Sequence, residues 1–252
     1  MKNELDLPIA TSTIRYRMIE ANLRARRPRK VPMLKTVHMK NRLQFAKKFI
    51  NEPDTVWRNI LWSDETKVVQ FGADRGKSYV RRFPKTEFNN KFTLKTIKHG
   101  GLRLMLWGCF SWNGVGPLVK IVGNMDATYY VGNILETVML PYAEEEMPLR
   151  WVFQQDNDPK HTSKKAKEWF RSHKMNVLEW PAQSPDLNPI EHLWIDVKQG
   201  VRAANPKNSE ELWQAAKNTW DNISLSRCRT LIASMKSRCI EVIKNKGGAT
   251  SY

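Results

Sequence analysis

Little in this chain supports a secreted, disulfide-bonded or membrane-spanning protein. Its 252 residues include three cysteines, odd in number and widely spaced, which predict neither a disulfide framework nor a zinc site: Cys109, Cys228 and Cys239. No apolar run approaches the roughly 18 residues that span a bilayer. The first residues lack the apolar segment of a signal peptide. We therefore expect a protein of a reducing compartment with no membrane partner.

Acidic residues are scarce relative to basic ones. The chain has 25 Asp and Glu against 42 Lys and Arg, a net charge of +17, and more than half of the excess falls in residues 1–50. Charge so unevenly placed indicates a polyanionic partner, and nucleic acid is favoured because no basic amphipathic helix with an exposed aromatic face is evident. The alternative is a basic protein whose Lys and Arg side chains are merely solvated.

The apolar content of 41%, with ten tryptophans, is enough for a packed core and excludes a largely disordered chain. Segments with strand and helix patterns alternate, and the last third is helical, an order typical of an α/β fold with a mixed sheet. The predicted strands are residues 59–63, 102–110, 117–122, 151–155 and 176–180. The predicted helices are residues 11–23, 34–50, 126–140 and 162–172, and three more that begin near residues 188, 208 and 226.

Four details of this pattern are specific enough to test. Gly114–Gly116 is predicted as the turn between the second and third strands. Pro141 is predicted to stop the helix that starts after Asp126. Asn188 is predicted to cap the helix that follows it. The two late cysteines fall on the apolar stripe of the last helix and are predicted as packing residues.

A basic segment occupies Arg24–Lys30. Pro28 and Pro32 prevent a continuous helix there, so we expect an extended arm. Such an arm could lie along phosphates or enter a minor groove, and it could equally be a nuclear localisation patch or a solvated linker. The residues predicted to contact DNA are Arg15, Arg17, Arg24, Arg26, Arg27, Arg29 and Lys30.

Three acidic residues stand out by position. Asp64 follows the first predicted strand, Asp156 follows the fourth, and Glu191 lies in the first turn of the helix after the fifth. If the two strands are parallel neighbours, both aspartates emerge at one edge of the sheet, and a helix start placed over that edge adds the glutamate. Clustered carboxylates repel one another unless cations bind, and oxygen ligands select Mg²⁺ or Mn²⁺. Two such ions about 4 Å apart support phosphodiester displacement.

Each of these residues also has an ordinary structural interpretation. Asp64 fits a turn at a strand end, Asp156 fits an Asx turn, and Glu191 fits a capping box with Asn188. His161 is a weaker candidate for contact with a phosphate or the edge of the site, and a turn position is its favoured interpretation.

Three long motifs closely resemble those of the Tc/mariner superfamily of transposases. They are Leu-Trp-Ser-Asp-Glu-Thr-Lys at 61–67, Phe-Gln-Gln-Asp-Asn-Asp-Pro-Lys-His-Thr-Ser at 153–163, and Ser-Pro-Asp-Leu-Asn-Pro-Ile-Glu-His-Leu-Trp at 184–194. The 34 residues between Asp156 and Glu191, and the final Glu, match the Tc branch rather than the mariner branch. The resemblance extends over residues 5–252.

The resemblance implies an RNase H-like catalytic domain: an α/β fold with a mixed five-stranded sheet flanked by helices. It implies that Asp64, Asp156 and Glu191 form a DDE triad that binds two Mg²⁺ or Mn²⁺ ions. It further implies a cut-and-paste enzyme that joins transposon ends in double-stranded DNA to TA target sites, and a homodimer. The DNA substrate and the basic patch predict a nuclear location.

The resemblance also divides the chain. Residues 1–23 resemble the end of a second helix-turn-helix domain, and 24–55 a basic linker. Residues 56–252 resemble the catalytic domain, with a clamp-loop excursion at about 67–101. Family members carry two helix-turn-helix subdomains, so we expect an N-terminally truncated chain that binds DNA mostly non-specifically and in a salt-dependent way. The alternative is a DNA-binding, dimerising remnant without productive transposition.

Overall fold

The computed structural model describes residues 10–25, 31–70, 81–87, 89 and 101–252. The chain divides into two compact units, residues 1–33 and 34–252. In the described part of the first unit, helix α1 (Thr11–Glu20) has no buried side chain. The domain boundaries expected after residues 23 and 55 stay predictions, although residues 34–55 belong to the second unit here.

The second unit is built on a mixed sheet. Its described strands are β1 (Ile60–Val69), β2 (Arg103–Ser111), β3 (Gly114–Ile121) and β4 (Val152–Gln154). They lie in the order β3-β2-β1-β4, with β4 parallel to β1 and the other pairs antiparallel. The fifth predicted strand, 176–180, pairs with β4 through a single bridge between Phe153 and Val177. The predicted α/β class is confirmed, with four strands and a bridge in place of five strands.

Two strand limits differ from the prediction. β1 does not end before Asp64 but continues to Val69, because residues 62–69 all pair with β2. Gly114–Gly116, predicted as a turn, instead begins β3. Ser111 pairs with Gly114, so a turn of two residues is sufficient, and Gly114 adopts a φ of +129° that few other residues would tolerate.

Pro141 does not stop its helix. Helix α4 (Ala127–Tyr129), a π-helical segment (Tyr130–Met139) and helix α5 (Leu140–Glu146) follow one another without a break. Pro141 lies in the first turn of α5, where proline is tolerated. We predicted a stop because proline usually ends a helix. Here Pro141 follows the point where the π-helical segment changes to the α-helix α5, and the helix continues through it.

Helices cover both faces of the sheet, so that the second unit has three layers: helices, sheet and helices. The remaining ones are α2 (Thr36–Phe49), α3 (Thr55–Arg58), α6 (Lys164–Ser172), α7 (Ile190–Ala204), α8 (Ser209–Asp221), α9 (Leu225–Ala233) and α10 (Met235–Lys244), with a 3₁₀ turn at Pro185–Leu187. One face packs on α2 and α7–α10 and buries Trp62. The opposite face packs on residues 127–146 and α6 and buries Leu61. None of the described helices has the length and apolar character needed to cross a membrane.

The cysteines lie within this packing. Cys228 and Cys239 are fully buried between the sheet and the C-terminal helices, so their prediction as packing residues is confirmed. The helix starts predicted near residues 162 and 208 are also confirmed, and each has a side-chain cap. The Ser163 hydroxyl accepts the Ala166 N–H over 3.1 Å, and the Asn208 side chain accepts the Glu211 N–H over 2.8 Å.

A glycine sets the approach of α7 to α8. Gly200 lies inside α7, where glycine ordinarily costs about 1 kcal/mol relative to alanine. A Cβ added at Gly200 would stand 2.1 Å from Oγ1 of Thr219 on α8. We therefore expect Gly200→Ala to lower the free energy of unfolding by about 1–3 kcal/mol, because the two helices must separate. Urea-induced unfolding measures this change.

The matched control is Gly132→Ala. Gly132 is also helical, but a Cβ added there meets no neighbouring atom within 4 Å. We expect this variant to be as stable as the parent or more stable. Equal losses at the two glycines would show that Gly200 does not set the α7–α8 distance.

Candidate active site

The two aspartates lie at the same edge of the sheet. Trp62 of β1 pairs in parallel with Gln154 of β4. Asp64 and Asp156 each follow two residues later, so the strands carry both carboxylates to one side of the molecule. This is the parallel arrangement that the sequence analysis required. Asp64 remains inside β1, whereas Asp156 stands in the loop after β4.

Glu191 completes the group from the first turn of α7. The three carboxylates line one cleft of about 440 Å³, together with the 157–159 loop and the 180–185 loop. The structure therefore brings together all three residues of the predicted triad.

Asp64 and Glu191 lie close enough for each to shift the pKa of the other. Burial is the main cause that raises the pKa of Asp64 well above its usual range, and the negative charge of Glu191 is the next. Burial also raises the pKa of Glu191, although Lys198 and the contact with Asp64 oppose it. Burial and mutual repulsion therefore disfavour a negative charge on both carboxylates at once.

The donor set suits a hard divalent cation. Three carboxylates supply the oxygen ligands that Mg²⁺ and Mn²⁺ prefer. As they stand, no three His, Cys, Asp or Glu side chains in the described part of the chain are close enough to enclose a metal ion. The three residues suit the predicted divalent cations by their oxygen ligands and because they line one cleft.

Asp156 is held by its own loop. The backbone N–H of Asp158 donates to Oδ1 of Asp156 over 2.9 Å, which is an Asx turn. Nδ1 of His161 lies 2.6 Å from the same oxygen. Burial acts to raise the pKa of Asp156, but these hydrogen bonds outweigh it and the pKa is lowered. The Asx turn considered as an alternative is thus present, and it presents the carboxylate to the cleft.

His161 is placed more centrally than the sequence indicated. Its backbone lies in a turn, as predicted, but its side chain is buried between Asp156 and Glu65. Burial acts to lower the pKa of His161, and the hydrogen bonds with the two carboxylates overcome this and raise it to about 9. The motif around Asp156 contained this histidine, yet nothing local showed that its ring turns back.

The start of α7 differs from the prediction. Asn188 does not cap the helix, and Glu191 forms no capping box with it. The side-chain amide of Asn188 donates to the backbone carbonyl of Ser63 over 3.5 Å instead. Asn188 thereby ties the entry to α7 to β1, one residue before Asp64.

The turn that precedes α7 is anchored from both ends of the second unit. Nη1 and Nη2 of Arg42 donate to the two carboxylate oxygens of Asp186 over 2.7 and 2.6 Å. Nη1 of Arg238 donates to the Asp186 carbonyl over 2.7 Å. The backbone N–H and hydroxyl of Thr250 each donate to Oδ2 of Asp186 over 2.9 Å. These contacts fix the loop that leads to Glu191.

Sequence reasoning missed this anchor, although one signal was available. Arg42 lies three, four and seven residues before Phe45, Ala46 and Phe49, which form the buried stripe of α2. A charged residue on a buried stripe needs a partner.

The residues predicted to contact DNA are only partly described. Arg15, Arg17 and Arg24 are exposed, and Arg17 forms an ion pair of 2.9 Å with Glu20. Arg26, Arg27, Arg29 and Lys30 lie outside the described residues, as does most of the predicted clamp-loop excursion. Their roles stay predictions. A pocket of about 830 Å³ along α1 is lined by apolar and basic side chains and by Thr11, without a carboxylate.

Comparison with known proteins places this site in a family. A family model described as DDE superfamily endonuclease matches residues 59–228, and a Tc3-type helix-turn-helix model described as Transposase matches residues 1–51. The transposable element Tcb1 transposase of Caenorhabditis briggsae is 42% identical over 240 residues, which cover 95% of this chain and 87% of that protein. The chain belongs to the Tc1/mariner family of DDE transposases. The Tc3 transposase of Caenorhabditis elegans is 32% identical over 255 residues, covering all of this chain and 75% of its relative.

Solved structures share the fold of this Tc1/mariner transposase. A Mos1 transposase paired-end complex with left transposon end superposes with a TM-score of 0.83 at 18% identity, covering 98% of this chain and 73% of that one. The Mos1 catalytic domain with Raltegravir and Mg gives a TM-score of 0.68 at 15% identity, covering 87% of this chain and all of that one. The predicted RNase H-like class is confirmed by this likeness.

Proposed function

We propose that this chain is a metal-dependent DNA transposase whose catalytic residues are Asp64, Asp156 and Glu191. The observation that carries the proposal is the parallel pairing of β1 with β4, which brings two aspartates to one edge beneath the start of α7. Membership of the family supplies the reaction class. An intact triad favours an active enzyme over a DNA-binding remnant.

The three carboxylates have distinct supports. Asp64 is fixed by the strand ladder, Asp156 by its Asx turn, and Glu191 by the anchored entry to α7. Together they would hold two Mg²⁺ or Mn²⁺ ions. Such ions, when bound, activate a water or a 3′-hydroxyl and stabilise the leaving oxygen of a phosphodiester. The three carboxylates would orient the cations within the cleft.

Exposed basic side chains on the helix that follows Asp156 in the chain support DNA as the substrate. Helix α6 begins eight residues after Asp156. Its buried side holds Trp169 and Phe170, and its exposed side carries Lys164, Lys165, Lys167 and Arg171. Exposed cations on one face of a helix contribute sequence-independent attraction to phosphates.

The finer details of the reaction are also proposals. Structures of Mos1 are described as paired-end and strand transfer complexes. We extend this to a homodimer of the present chain that holds two transposon ends and joins them to TA sites. A DNA substrate and the basic patch at residues 24–30 support a nuclear location, which the distribution of a fluorescently tagged chain would test.

A strand-transfer assay tests the proposed function. The protein is incubated with a pre-cut transposon-end duplex and plasmid DNA, with Mg²⁺, Mn²⁺ or no divalent metal. We expect metal-dependent joining at TA sites by the parent and none by Asp156→Ala, because a metal ligand is removed. DNA binding by the variant should be unchanged or stronger, since a carboxylate that repels phosphate is lost.

The matched control is Asp221→Ala, which removes an exposed carboxylate on α8. It should join DNA like the parent. Retained DNA binding without joining by the parent in either metal would favour the remnant alternative. Loss of both binding and joining in Asp156→Ala would instead indicate a folding defect.

A further inference from the structure

A buried histidine adjoins the triad without belonging to it. The side chain of His161 is 4% exposed, and each ring nitrogen faces a carboxylate. Nδ1 lies 2.6 Å from Oδ1 of Asp156, and Nε2 lies 3.0 Å from Oε1 of Glu65. The proposed function uses Asp156 and leaves His161 and Glu65 without a role.

The ring of His161 is fixed on all sides. It packs against the ring of Tyr130, with 4.3 Å between the ring centroids. The hydroxyl of Tyr130 donates to Oε1 of Gln155 over 2.6 Å, and Nε2 of Gln155 donates to the backbone carbonyl of His161 over 3.3 Å. Tyr130 and Gln155 are themselves buried. The position of the imidazole is therefore set by packing rather than by the flexible loop that carries it.

Asp156 depends on such a support more than Asp64 does. It stands in a loop beyond β4, and its side chain is 49% exposed. Both contacts that restrain it, from Asp158 and His161, fall on the same oxygen, Oδ1. Oδ2 accepts no hydrogen bond from the described residues. The carboxylate is thus held by one oxygen while the other remains available as a ligand.

Glu65 connects this support to the strand that carries Asp64. The two residues are adjacent in β1, and consecutive strand residues point to opposite faces of a sheet. Asp64 faces the cleft directly. Glu65 holds His161, which in turn contacts Asp156. One strand therefore sets the positions of both aspartates.

We propose that His161 is a positioning residue that orients the Asp156 carboxylate for a divalent cation and is itself held in place by Glu65. This rests on the proposed function of the triad. Groups behind a metal ligand fix its orientation, and their loss typically weakens metal binding about 10–100-fold. His161 acts through Asp156 and does not touch the substrate.

The test measures metal binding by the full chain without DNA. Free Mn²⁺ is followed by electron paramagnetic resonance during titration of the parent, His161→Ala and His161→Asn. We expect His161→Ala to bind Mn²⁺ about 10–100-fold more weakly than the parent. His161→Asn should recover much of the loss, because its amide can donate to Oδ1 of Asp156 in place of Nδ1.

A second histidine provides the matched control. His173 is also stacked on an aromatic ring, that of Trp169 at 4.2 Å, and has a carboxylate nearby in Glu136. It contacts no residue of the triad, and His173→Ala should bind Mn²⁺ like the parent. A folded His161→Ala variant whose Mn²⁺ affinity stays within about twofold of the parent would overturn the proposal.

Glu65 tests the same inference from the other end, should His161→Ala fail to fold. Glu65→Gln removes the charge and keeps an acceptor for Nε2, whereas Glu65→Ala removes both. We expect Mn²⁺ binding to be weaker in Glu65→Ala than in Glu65→Gln. Equal Mn²⁺ affinities of the two variants would contradict a positioning role for Glu65, because only the loss of its charge would then affect binding.

Strand transfer measured beside binding separates the two proposals. At saturating Mn²⁺ the joining rate of His161→Ala should approach that of the parent, while its half-saturating metal concentration rises. A parent that binds Mn²⁺ but joins no DNA would contradict the proposed function. The role of His161 would still be tested by the Mn²⁺ affinities of its variants. A parent that binds no Mn²⁺ would overturn both.

Discussion

Asp64→Asn is expected to lose strand transfer almost completely while making the metal-free protein more stable. Metal ions supply several kcal/mol of transition-state stabilisation, and each 1.4 kcal/mol or so is a factor of ten in rate, so we expect a loss of about 10³-fold or more. Asparagine keeps the shape of aspartate but carries no negative charge. In this one variant, strand-transfer activity should therefore fall while the stability of the metal-free protein rises.

The gain in stability follows from the surroundings of Asp64. Burial and the charge of Glu191 both raise its pKa, so the folded protein disfavours the charged form of this carboxyl. A neutral side chain of equal size removes that penalty. The midpoint of thermal unfolding should rise by about 2–4 °C for each kcal/mol gained in a chain of this size. Differential scanning calorimetry with chelator present measures the shift.

Glu191→Gln serves as the companion variant. It neutralises the second carboxylate of this pair, whose pKa burial also raises, and should likewise lose activity and gain stability. If either variant is less stable than the parent, repulsion does not dominate this cluster. If either joins DNA at the parental rate, the carboxylate is no ligand.

Asp186→Asn is expected to lower the free energy of unfolding by about 3–5 kcal/mol, because it leaves the Arg42 guanidinium buried without its counter-charge. Arg42 is fully buried, and the Asp186 side chain is 8% exposed. Arg42→Met should cost a similar amount. The double variant should lose less than the two single losses added together, because both remove the same pair. Urea unfolding of the four proteins completes the cycle.

The pH dependence has a definite sign. Burial acts to raise the pKa of Asp186, but the hydrogen bonds and charge of Arg42 and the contacts of Thr250 outweigh it, so the folded-state pKa is lowered. The stability that this lowering provides is complete above the unfolded-state pKa of about 3.9 and is lost as the pH falls through the folded value. Asp186→Asn should therefore lose less stability on acidification than the parent.

An exposed ion pair is the control for this prediction. Lys217 and Asp221 approach to 2.5 Å on α8, with side chains 38% and 48% exposed. Lys217→Met should change the free energy of unfolding by less than about 0.5 kcal/mol. A loss at Asp186 no larger than this would mean that the buried pair does not hold the loop before α7.

The sequence predicted those parts of the site that depend on local pattern. The pattern of a buried strand followed by an acidic residue placed Asp156 just beyond β4, as observed, but it ended β1 before Asp64, which lies inside that strand. The parallel pairing of the two strands brings both aspartates to one edge. Helical periodicity placed Glu191 in a first turn. The capping interpretation of Asn188 failed because the same residue types also bond across space, here to Ser63 on β1.

Contacts between residues far apart in the chain were beyond the same reasoning. His161 and Glu65 are separated by 96 positions, and Arg42 and Asp186 by 144. Each pair is formed by the closure of the fold and leaves no periodic trace. For residues 176–180 the local pattern predicted too much. Their composition suits a strand, but they pair with β4 only through the bridge between Phe153 and Val177.

The anchor around Asp186 has a consequence for the order of events during synthesis. Arg42 donates to the Gly247 carbonyl, a contact that spans 205 positions. Residues near position 250 must therefore leave the ribosome before the loop that leads to Glu191 can be locked. Until then Asp64 and Asp156 can meet, but their third partner is not held over them. We therefore expect the carboxylate cluster to be fully assembled only after residues 247–250 have been synthesised.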